Sequence, residues 1–241
     1  MGYVAGRRPV REALLGRRQV SRIYLAQNTA PSKLVDEIVD DAGSRSIPVS
    51  KVEKQHLDKL VAGVTHQGIV AEVSGYPHIG LSEMINSVRE KDKSLVVALD
   101  GVLDPQNLGA IIRTAVGVGA DGLIIPKRRG ASVTATVAKT SAGAVEHANV
   151  AAANISVAID RLKEVGFWVV GADAGSPTPI WDLDLKGKTM LVLGGENEGL
   201  SRLVKSKCDF LASLPMSDRI DSLNVSVTAA VMIYEIIKQQ S

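Results

Sequence analysis

The chain has 241 residues, of which 45% are hydrophobic and 22% charged, and this composition predicts a folded protein of one large or two modest domains. Its net charge is only +2, and its single cysteine excludes an internal disulfide and a cysteine-rich metal site. No apolar run approaches the roughly 18 residues of a membrane span, and the N-terminus lacks the apolar core of a secretory signal, so we expect a cytoplasmic protein without a membrane anchor.

Positive charge is concentrated near the N-terminus. Residues 1–75 carry 11 Lys and Arg against 8 Asp and Glu, whereas the remainder carries 17 against 18. Within residues 1–22 one acidic residue, Glu12, accompanies six arginines: Arg7, Arg8, Arg11, Arg17, Arg18 and Arg22. Such a cluster suits phosphate contacts with RNA, but it is equally typical of a solvated helix face. Because aromatic residues make up only 3% of the chain, RNA contacts would rest on charge and hydrogen bonds.

The first 75 residues have the pattern of a small α/β domain. Apolar residues at helical spacing follow Pro9, and short apolar runs at 23–26 and 68–73 predict two strands around a second helix that ends near Gly43. The sequence Gly75-Tyr76-Pro77 breaks this pattern, and residues 89–93 are rich in charge. Residues 76–93 are therefore predicted to be a linker, within which residues 81–88 have a helical pattern of their own.

From residue 94 onward, short buried strands alternate with helices. Continuous apolar runs predict strands at 95–99, 122–125, 167–170, 190–193 and 210–212. Apolar residues at helical spacing lie between them, and a final helix carries Leu223, Val227, Val231 and Tyr234. This alternation predicts a parallel α/β sheet over residues 94–241, with ligands bound where the strands end.

Three loops that follow strands carry candidate functional residues. In the first, residues 100–109, Asn107 is suited to cap a helix that also carries Arg113 beside small residues, so that another backbone could approach the guanidinium. In the second, residues 193–200, Gly194 and Gly195 would let a ligand meet the backbone, and Glu196 disfavours bound phosphate.

The third loop, residues 214–227, contains Ser222 as a candidate helix cap and Asn224 in the first turn of the same helix. Each of the three loops, taken alone, is compatible with ordinary turns and capping. The chain contains neither a GxGxxG fingerprint nor a phosphate-binding P-loop, which argues against a nucleotide-phosphate cradle.

Together the three loops closely resemble, in order and at similar spacing, the signature motifs of the SpoU (TrmH) family of RNA 2′-O-methyltransferases. Residues 6–14 and 65–71 look like the two ends of the family's substrate-binding domain, and residues 141–144 also fit its pattern. The two-domain form is most similar to the enzymes that methylate guanosine in large-subunit rRNA. Asp218 departs from the pattern, since the family usually has glycine there.

The resemblance implies an α/β fold of the SPOUT α/β-knot type, in which a parallel sheet flanked by helices carries a deep C-terminal trefoil knot. An L30e-like α/β domain that resembles a ribosomal protein would precede it and bind the RNA substrate. The resemblance alone implies the knot, because knots are otherwise almost absent from proteins. It also implies a homodimer that packs through the knotted domain.

The resemblance further implies S-adenosylmethionine as the cofactor and assigns residues to the site. The positions that match cofactor contacts are Gly194, Gly195, Leu214, Pro215, Met216, Ser222 and Leu223. Those that match the catalytic set are Asn107, Arg113, Glu196, Ser222 and Asn224. The family's candidate for deprotonating the ribose 2′-hydroxyl is Arg113; because a guanidinium barely deprotonates, phosphate binding and alkoxide stabilisation form the alternative role.

The predicted RNA contacts lie in two places. In the first domain they are Arg7, Arg8, Arg11, Arg17, Arg18, His66 and Gln67, and after a strand of the second they are Lys127, Arg128 and Arg129. The four histidines are scattered along the chain, so we expect no metal site.

Three alternatives use the same residues. The first is 2′-O-methylation of tRNA, and the second is a catalytically silent RNA-binding paralogue in ribosome assembly. The third is antibiotic resistance through rRNA methylation, which would differ only in the nucleotide chosen.

Overall fold

The computed structural model describes residues 2–127, 130, 132–196, 198–217, 219–220 and 222–241. Residues 2–77 form, in order, β1 (Gly2–Ala5), α1 (Arg7–Leu15), β2 (Val20–Ala26), α2 (Lys33–Ser44), β3 (Val49–Val52), α3 (Lys54–Leu60) and β4 (Ile69–Val73). The elements of residues 78–241 are α4 (Leu81–Val88), β5 (Ser94–Asp100), α5 (Pro105–Gly117), β6 (Gly122–Pro126), α6 (Ala135–Thr140), β7 (Val150–Ala153), α7 (Ile155–Lys163), β8 (Trp168–Ala172), β9 (Lys188–Gly194), α8 (Arg202–Lys207), β10 (Phe210–Ala212) and α9 (Val225–Gln240).

The chain divides into two compact units. The first consists of residues 1–77 with 132–147, and the second of residues 78–131 with 148–241. This division differs from the predicted one at two segments. Helix α4, in the predicted linker, buries Met84, Ile85 and Val88 in the core of the second unit. Helix α6 and the 3₁₀ turn Ala144–His147, from the middle of the predicted catalytic domain, belong to the first unit.

The first unit is built on a four-stranded sheet in the order β1-β4-β2-β3. Strand β4 is antiparallel to both neighbours, whereas β2 and β3 are parallel. Helix α1 buries Val10, Ala13 and Leu14, as their spacing predicts, and begins at Arg7, two residues before Pro9. The N-terminal strand β1 was not predicted, because its four residues, two of them only partly buried, give too short a pattern.

The second unit is built on a six-stranded sheet in the order β10-β8-β9-β5-β6-β7, in which every neighbouring pair is parallel. All five strands predicted from apolar runs are present, and β7 adds a sixth that its four small residues concealed. Because all the strands run the same way, the loops after β5, β8, β9 and β10 emerge at one edge of the sheet. The parallel α/β sheet predicted for this region is therefore confirmed.

Helix α9 forms where its apolar spacing predicts, but that spacing marks its exposed side. Val231 is 42% exposed and Tyr234 61%, and Val227 is likewise exposed. The side chains that α9 buries are Val225, Ala229, Met232, Ile233 and Ile236. Since the helix is apolar on both sides, periodicity alone cannot tell which side meets the sheet.

Three further features concern the cysteine, the length of the helices and possible metal ligands. Burial raises the pKa of Cys208 to about 11, so its thiol stays protonated at neutral pH and is a poor nucleophile. Among the described residues, no helix combines the length and apolar character that crossing a bilayer requires, and no group of three or more His, Cys, Asp or Glu side chains could hold a metal ion.

Candidate functional site

A pocket opens at the carboxyl edge of the second unit's sheet, where the loops after β8, β9 and β10 meet the start of α9. The residues that line it are Ala172, Asp173, Ala174, Leu193, Gly194, Gly195, Glu196, Gly199, Ala212, Ser213, Leu214, Met216, Ser222, Leu223, Val225, Thr228 and Met232. The pocket therefore combines the second and third motif loops, which the sequence analysis identified, with the end of β8, which the sequence analysis did not identify.

A network of three side chains joins the motif loops beside this pocket. Asn107 and Asn224 each donate a side-chain amide hydrogen bond to Oε1 of Glu196, both at 2.8 Å. Asn224 also donates from Nδ2 to Oδ1 of Asn107 at 3.0 Å. The structure thus brings together one residue from each motif, although they are separated by up to 117 positions in the sequence.

The helix caps differ from those predicted. Asp104, not Asn107, caps α5, because its side chain accepts from the backbone N–H of Gln106 at 2.9 Å and Pro105 occupies the first helical position. Asn224, not Ser222, caps α9, since its Oδ1 accepts from the backbone N–H of Ser226 at 2.9 Å. Asn107 is consequently buried inside the first turn of α5 and free to join the network.

The glycines of the second motif serve the loop's own geometry. A Cβ on Gly194 would lie 2.1 Å from the carbonyl carbon of Gly199, and one on Gly195 would lie 2.7 Å from the carbonyl oxygen of Gly101. Gly195 and Gly199 also exchange backbone hydrogen bonds of 3.2 and 2.9 Å. Larger residues would therefore force these backbones apart. The approach of Gly195 to Gly101 joins segments far apart in the sequence, so a local pattern cannot reveal it.

Arg113 lies apart from the network. Its side chain is exposed, and it follows Asn107 by six positions on α5, which corresponds to about 240° around a helix of 3.6 residues per turn. Arg113 makes no hydrogen bond or ion pair with any other residue that the structure describes. Its guanidinium is therefore fully available to an anion, but on a different face of α5 from Asn107.

The charge of the pocket is negative. Among its described lining residues, the charged ones are Asp173 and Glu196. Glu196 holds two amide donors, while Asp173 pairs with Lys205 of α8 at 2.6 Å. Such a lining favours a cationic or zwitterionic ligand and disfavours a phosphate.

Most of the predicted cofactor contacts line the pocket. Gly194, Gly195, Leu214, Met216, Ser222 and Leu223 all do so, and Pro215 lies exposed between two of them. The pocket is also lined by residues outside the predicted set, among them Asp173, Thr228 and Met232. Asp173 directly follows β8, so a search for polar residues at every strand end would have found it.

Arg18, a predicted RNA contact, is instead a buried structural residue of the first unit. It is 7% exposed, and its Nε donates to Oε2 of Glu146 at 2.9 Å. A second contact of the guanidinium with the same carboxylate makes the pair bidentate, and the group also lies over the ring of Tyr76. The prediction for Arg18 was therefore wrong, because a partner 128 positions away compensates its charge.

His66, a second predicted RNA contact, is also buried and committed to its own loop. Its Nε2 lies 3.0 Å from Oδ1 of Asp58, and its Nδ1 accepts from the backbone N–H of Gly68 at 3.0 Å. Both ring nitrogens are therefore occupied, and the histidine shapes the loop rather than reaching outward. The neighbouring Gln67 remains exposed, with its Oε1 accepting from the backbone N–H of Arg7.

The remaining basic candidates are more accessible. Arg8, Arg17 and Lys127 are exposed, whereas Arg11 is held by weak ion pairs to Glu12 and Glu37 at 3.5 and 3.8 Å. Arg7 is partly buried and donates to the carbonyl of Ala30. Arg128, Arg129 and the motif departure Asp218 lie outside the described residues.

Comparison with known families assigns the two parts of the chain. Residues 94–234 match the model of the SpoU rRNA Methylase family, and residues 3–78 match a model described as RNA 2′-O ribose methyltransferase substrate binding. The chain belongs to the SpoU rRNA methylase family. It is accordingly an RNA methyltransferase by family. The predicted N-terminal substrate-binding domain corresponds to the part of the chain that matches the substrate-binding model.

Individual relatives agree with this assignment. The chain is 39% identical, over 99% of its length and 96% of theirs, to a protein of Bacillus subtilis (strain 168) whose name places it in the TrmH family of tRNA/rRNA methyltransferases. A similarly named protein of Staphylococcus aureus (strain MSSA476) is 41% identical, over 98% of this chain and 96% of that one. The SpoU methyltransferase AviRb from Streptomyces viridochromogenes, solved in complex with the cofactor AdoMet, has the same fold, with a TM-score of 0.81 at 23% identity over 99% of this chain and 89% of that one.

Proposed function

We propose that this protein transfers a methyl group from S-adenosylmethionine to a ribose 2′-hydroxyl of RNA, and that the acceptor is a guanosine of large-subunit rRNA. The observation that carries the proposal is the Asn107–Glu196–Asn224 network at the edge of a pocket built from two of the three motif loops. The match of residues 3–78 to a domain described as binding the substrate of RNA 2′-O ribose methyltransferases supports ribose as the acceptor.

The pocket fits the cofactor by its chemistry. Its described charged lining residues are the two carboxylates Asp173 and Glu196, and S-adenosylmethionine carries a net positive charge through its sulfonium. Apolar side chains at the same pocket, Leu193, Leu214, Met216 and Met232, suit the adenine ring. When bound, S-adenosylmethionine would supply a methyl group that its sulfonium has already activated for transfer. The AdoMet complex of the related fold supports the same choice.

The chain's own residues then have to orient the ribose and assist loss of its proton. The amide groups of Asn107 and Asn224 are fixed by Glu196, and so they present a preorganised polar surface to a hydroxyl. Arg113 supplies a permanent positive charge with all its side-chain donors unused by the described residues, which suits the phosphate next to the reacting ribose and a developing alkoxide.

We also propose that the protein is active as a homodimer. Val227, Val231 and Tyr234 form an exposed apolar stripe on α9, a helix that packs against α5 within the chain. A second copy covering the stripe would remove it from water. Because Arg113 leaves α5 on a different face from Asn107, we assign it to the partner's site. The deep trefoil knot implied by the family resemblance is part of the same proposal.

The direct test is transfer of radiolabel from S-adenosylmethionine to purified large-subunit rRNA, small-subunit rRNA and bulk tRNA. The proposal expects label in large-subunit rRNA alone. Label in tRNA alone would replace the substrate with the family's other class. Failure to label any RNA, together with failure to bind the cofactor, would contradict the enzymatic proposal and favour a silent RNA-binding paralogue.

A further inference from the structure

We infer that Asp173 and Lys205 together hold the amino-acid end of the cofactor. The Asp173 carboxylate would receive the α-ammonium group, and the Lys205 ammonium would receive the α-carboxylate. This inference rests on the proposed cofactor and names the residues that orient it.

Asp173 is rigidly placed at the pocket wall. Its backbone N–H donates to the carbonyl of Ala212 at 2.9 Å, and its own carbonyl accepts from Ser176 at 3.0 Å, which fixes the turn after β8. Within that turn Oδ1 accepts from the backbone N–H of Gly175 at a long 3.3 Å, while Oδ2 pairs with Lys205 Nζ at 2.6 Å. Oδ1 therefore keeps capacity for a further strong donor.

Asp173 is the charged lining residue that stands outside the amide network. Glu196, the other charged group among the described lining residues, already accepts amide hydrogens from Asn107 and Asn224 on a single oxygen. Its position in the network suits the reacting ribose. In the sheet, β8 and β5 lie on opposite sides of β9. Asp173 follows β8, whereas Asn107 lies beyond β5, so Asp173 suits the end of the ligand that is away from the reaction.

Solvent exposure decides which end of the ligand this is. Asp173 lines the pocket and its side chain is 23% exposed, while its partner Lys205, outside the lining, is 46% exposed. Solvent therefore reaches the ion pair on the side of Asp173 that faces Lys205. A ligand with an apolar ring at one end and a zwitterion at the other is expected to bury the ring and leave the zwitterion at the mouth. An opposed pair of charges is the electrostatic complement of an amino-acid zwitterion.

The test compares two ligands that differ only at that end. S-adenosylhomocysteine and 5′-methylthioadenosine are both uncharged thioethers at sulfur, but only the first carries the amino-acid group. We expect Asp173→Asn, which keeps an acceptor for Gly175, to weaken S-adenosylhomocysteine about tenfold or more in calorimetric titration and to leave 5′-methylthioadenosine unchanged. Lys205→Gln should show the same selectivity.

A matched control is Asp184→Asn, which removes a carboxylate from another exposed lysine pair, that with Lys186 at 3.9 Å. It should alter neither affinity. Equal weakening of both ligands by Asp173→Asn, or of neither, would overturn the clamp while leaving the proposed cofactor intact. A wild-type protein that binds neither ligand would overturn the cofactor and the clamp together. Because retained 5′-methylthioadenosine binding reports an intact pocket, misfolding of the variant cannot be mistaken for loss of the clamp.

Discussion

At the scale of single residues, Asn224 has two tasks in one side chain. Its Oδ1 caps α9 through the backbone N–H of Ser226, and its Nδ2 donates to both Asn107 and Glu196. The first contact stabilises the helix and the second orders the site. The sequence predicted that Asn107 and Asn224 belong to one site but named Asn107 and Ser222 as the caps, where the structure has Asp104 and Asn224. Asp, Ser and Asn are nearly equivalent as caps until their partners are known.

The two tasks of Asn224 can be separated by substitution. Asn224→Ser keeps a capping oxygen but loses the amide donors, so we expect unfolding free energy to stay within about 0.5 kcal/mol of wild type while kcat falls about 100-fold. Asn224→Ala, which also loses the cap, should cost about 1–2 kcal/mol in urea unfolding. Turnover near the wild-type rate in Asn224→Ser would show that the network is structural only.

Arg113 gives the complementary case, since its exposed side chain makes no hydrogen bond or ion pair with the described residues. We expect Arg113→Ala to abolish methyl transfer and to leave both stability and cofactor affinity nearly unchanged, because an exposed side chain is lost. Steady-state transfer and calorimetric titration of S-adenosylhomocysteine measure the two effects. Near-normal turnover would exclude Arg113 from the chemistry.

At the scale of elements, spacing predicted which segments are helices and strands better than it predicted their partners. All five apolar runs of the second unit became strands, whereas residues 132–147, expected within the catalytic domain, group with the first compact unit. The reason is visible at Glu146, whose carboxylate is buried against Arg18 from the N-terminal part of the chain. No local pattern encodes a pairing over 128 positions.

This ion pair predicts opposite behaviour for two adjacent arginines. Arg18→Met leaves the fully buried Glu146 side chain without its partner, and we expect a loss of about 3–5 kcal/mol in unfolding free energy. Arg17→Ala removes an exposed charge, so stability should change by less than about 0.5 kcal/mol, while RNA affinity and its salt dependence both decrease. If Arg18→Met instead weakened RNA binding without loss of stability, its role would be the contact that the sequence first indicated.

At the scale of the whole molecule, the exposed side of α9 is the feature least expected of an isolated chain. Apolar residues at positions 223, 227, 231 and 234 predicted a buried face, and within one chain all four are exposed. The apolar spacing therefore marks a face that stays exposed to solvent in a single copy of the chain. The face of a helix that packs in the core and the face that packs against another molecule have the same apolar pattern in a sequence, because both make apolar contacts.

A charge placed in this stripe should separate the proposed dimer. We expect Val231→Asp to shift the protein from dimer to monomer in light scattering at micromolar concentration, because the carboxylate would be buried unpaired in the interface. Leu203→Asp, at an apolar residue on α8 that is 59% exposed, is the matched control and should leave the mass unchanged. A monomeric wild-type protein, or a dimeric Val231→Asp variant, would contradict the proposed interface.

The central claim is that the site formed by the three motif loops methylates the ribose 2′-oxygen. The most direct measurement is mass spectrometry of nucleosides from large-subunit rRNA methylated by the purified protein. The account predicts a methylated guanosine whose fragmentation releases an unmethylated base, which places the new methyl on the sugar. A methylated base fragment, or a nucleoside identical to that from untreated rRNA, would contradict it.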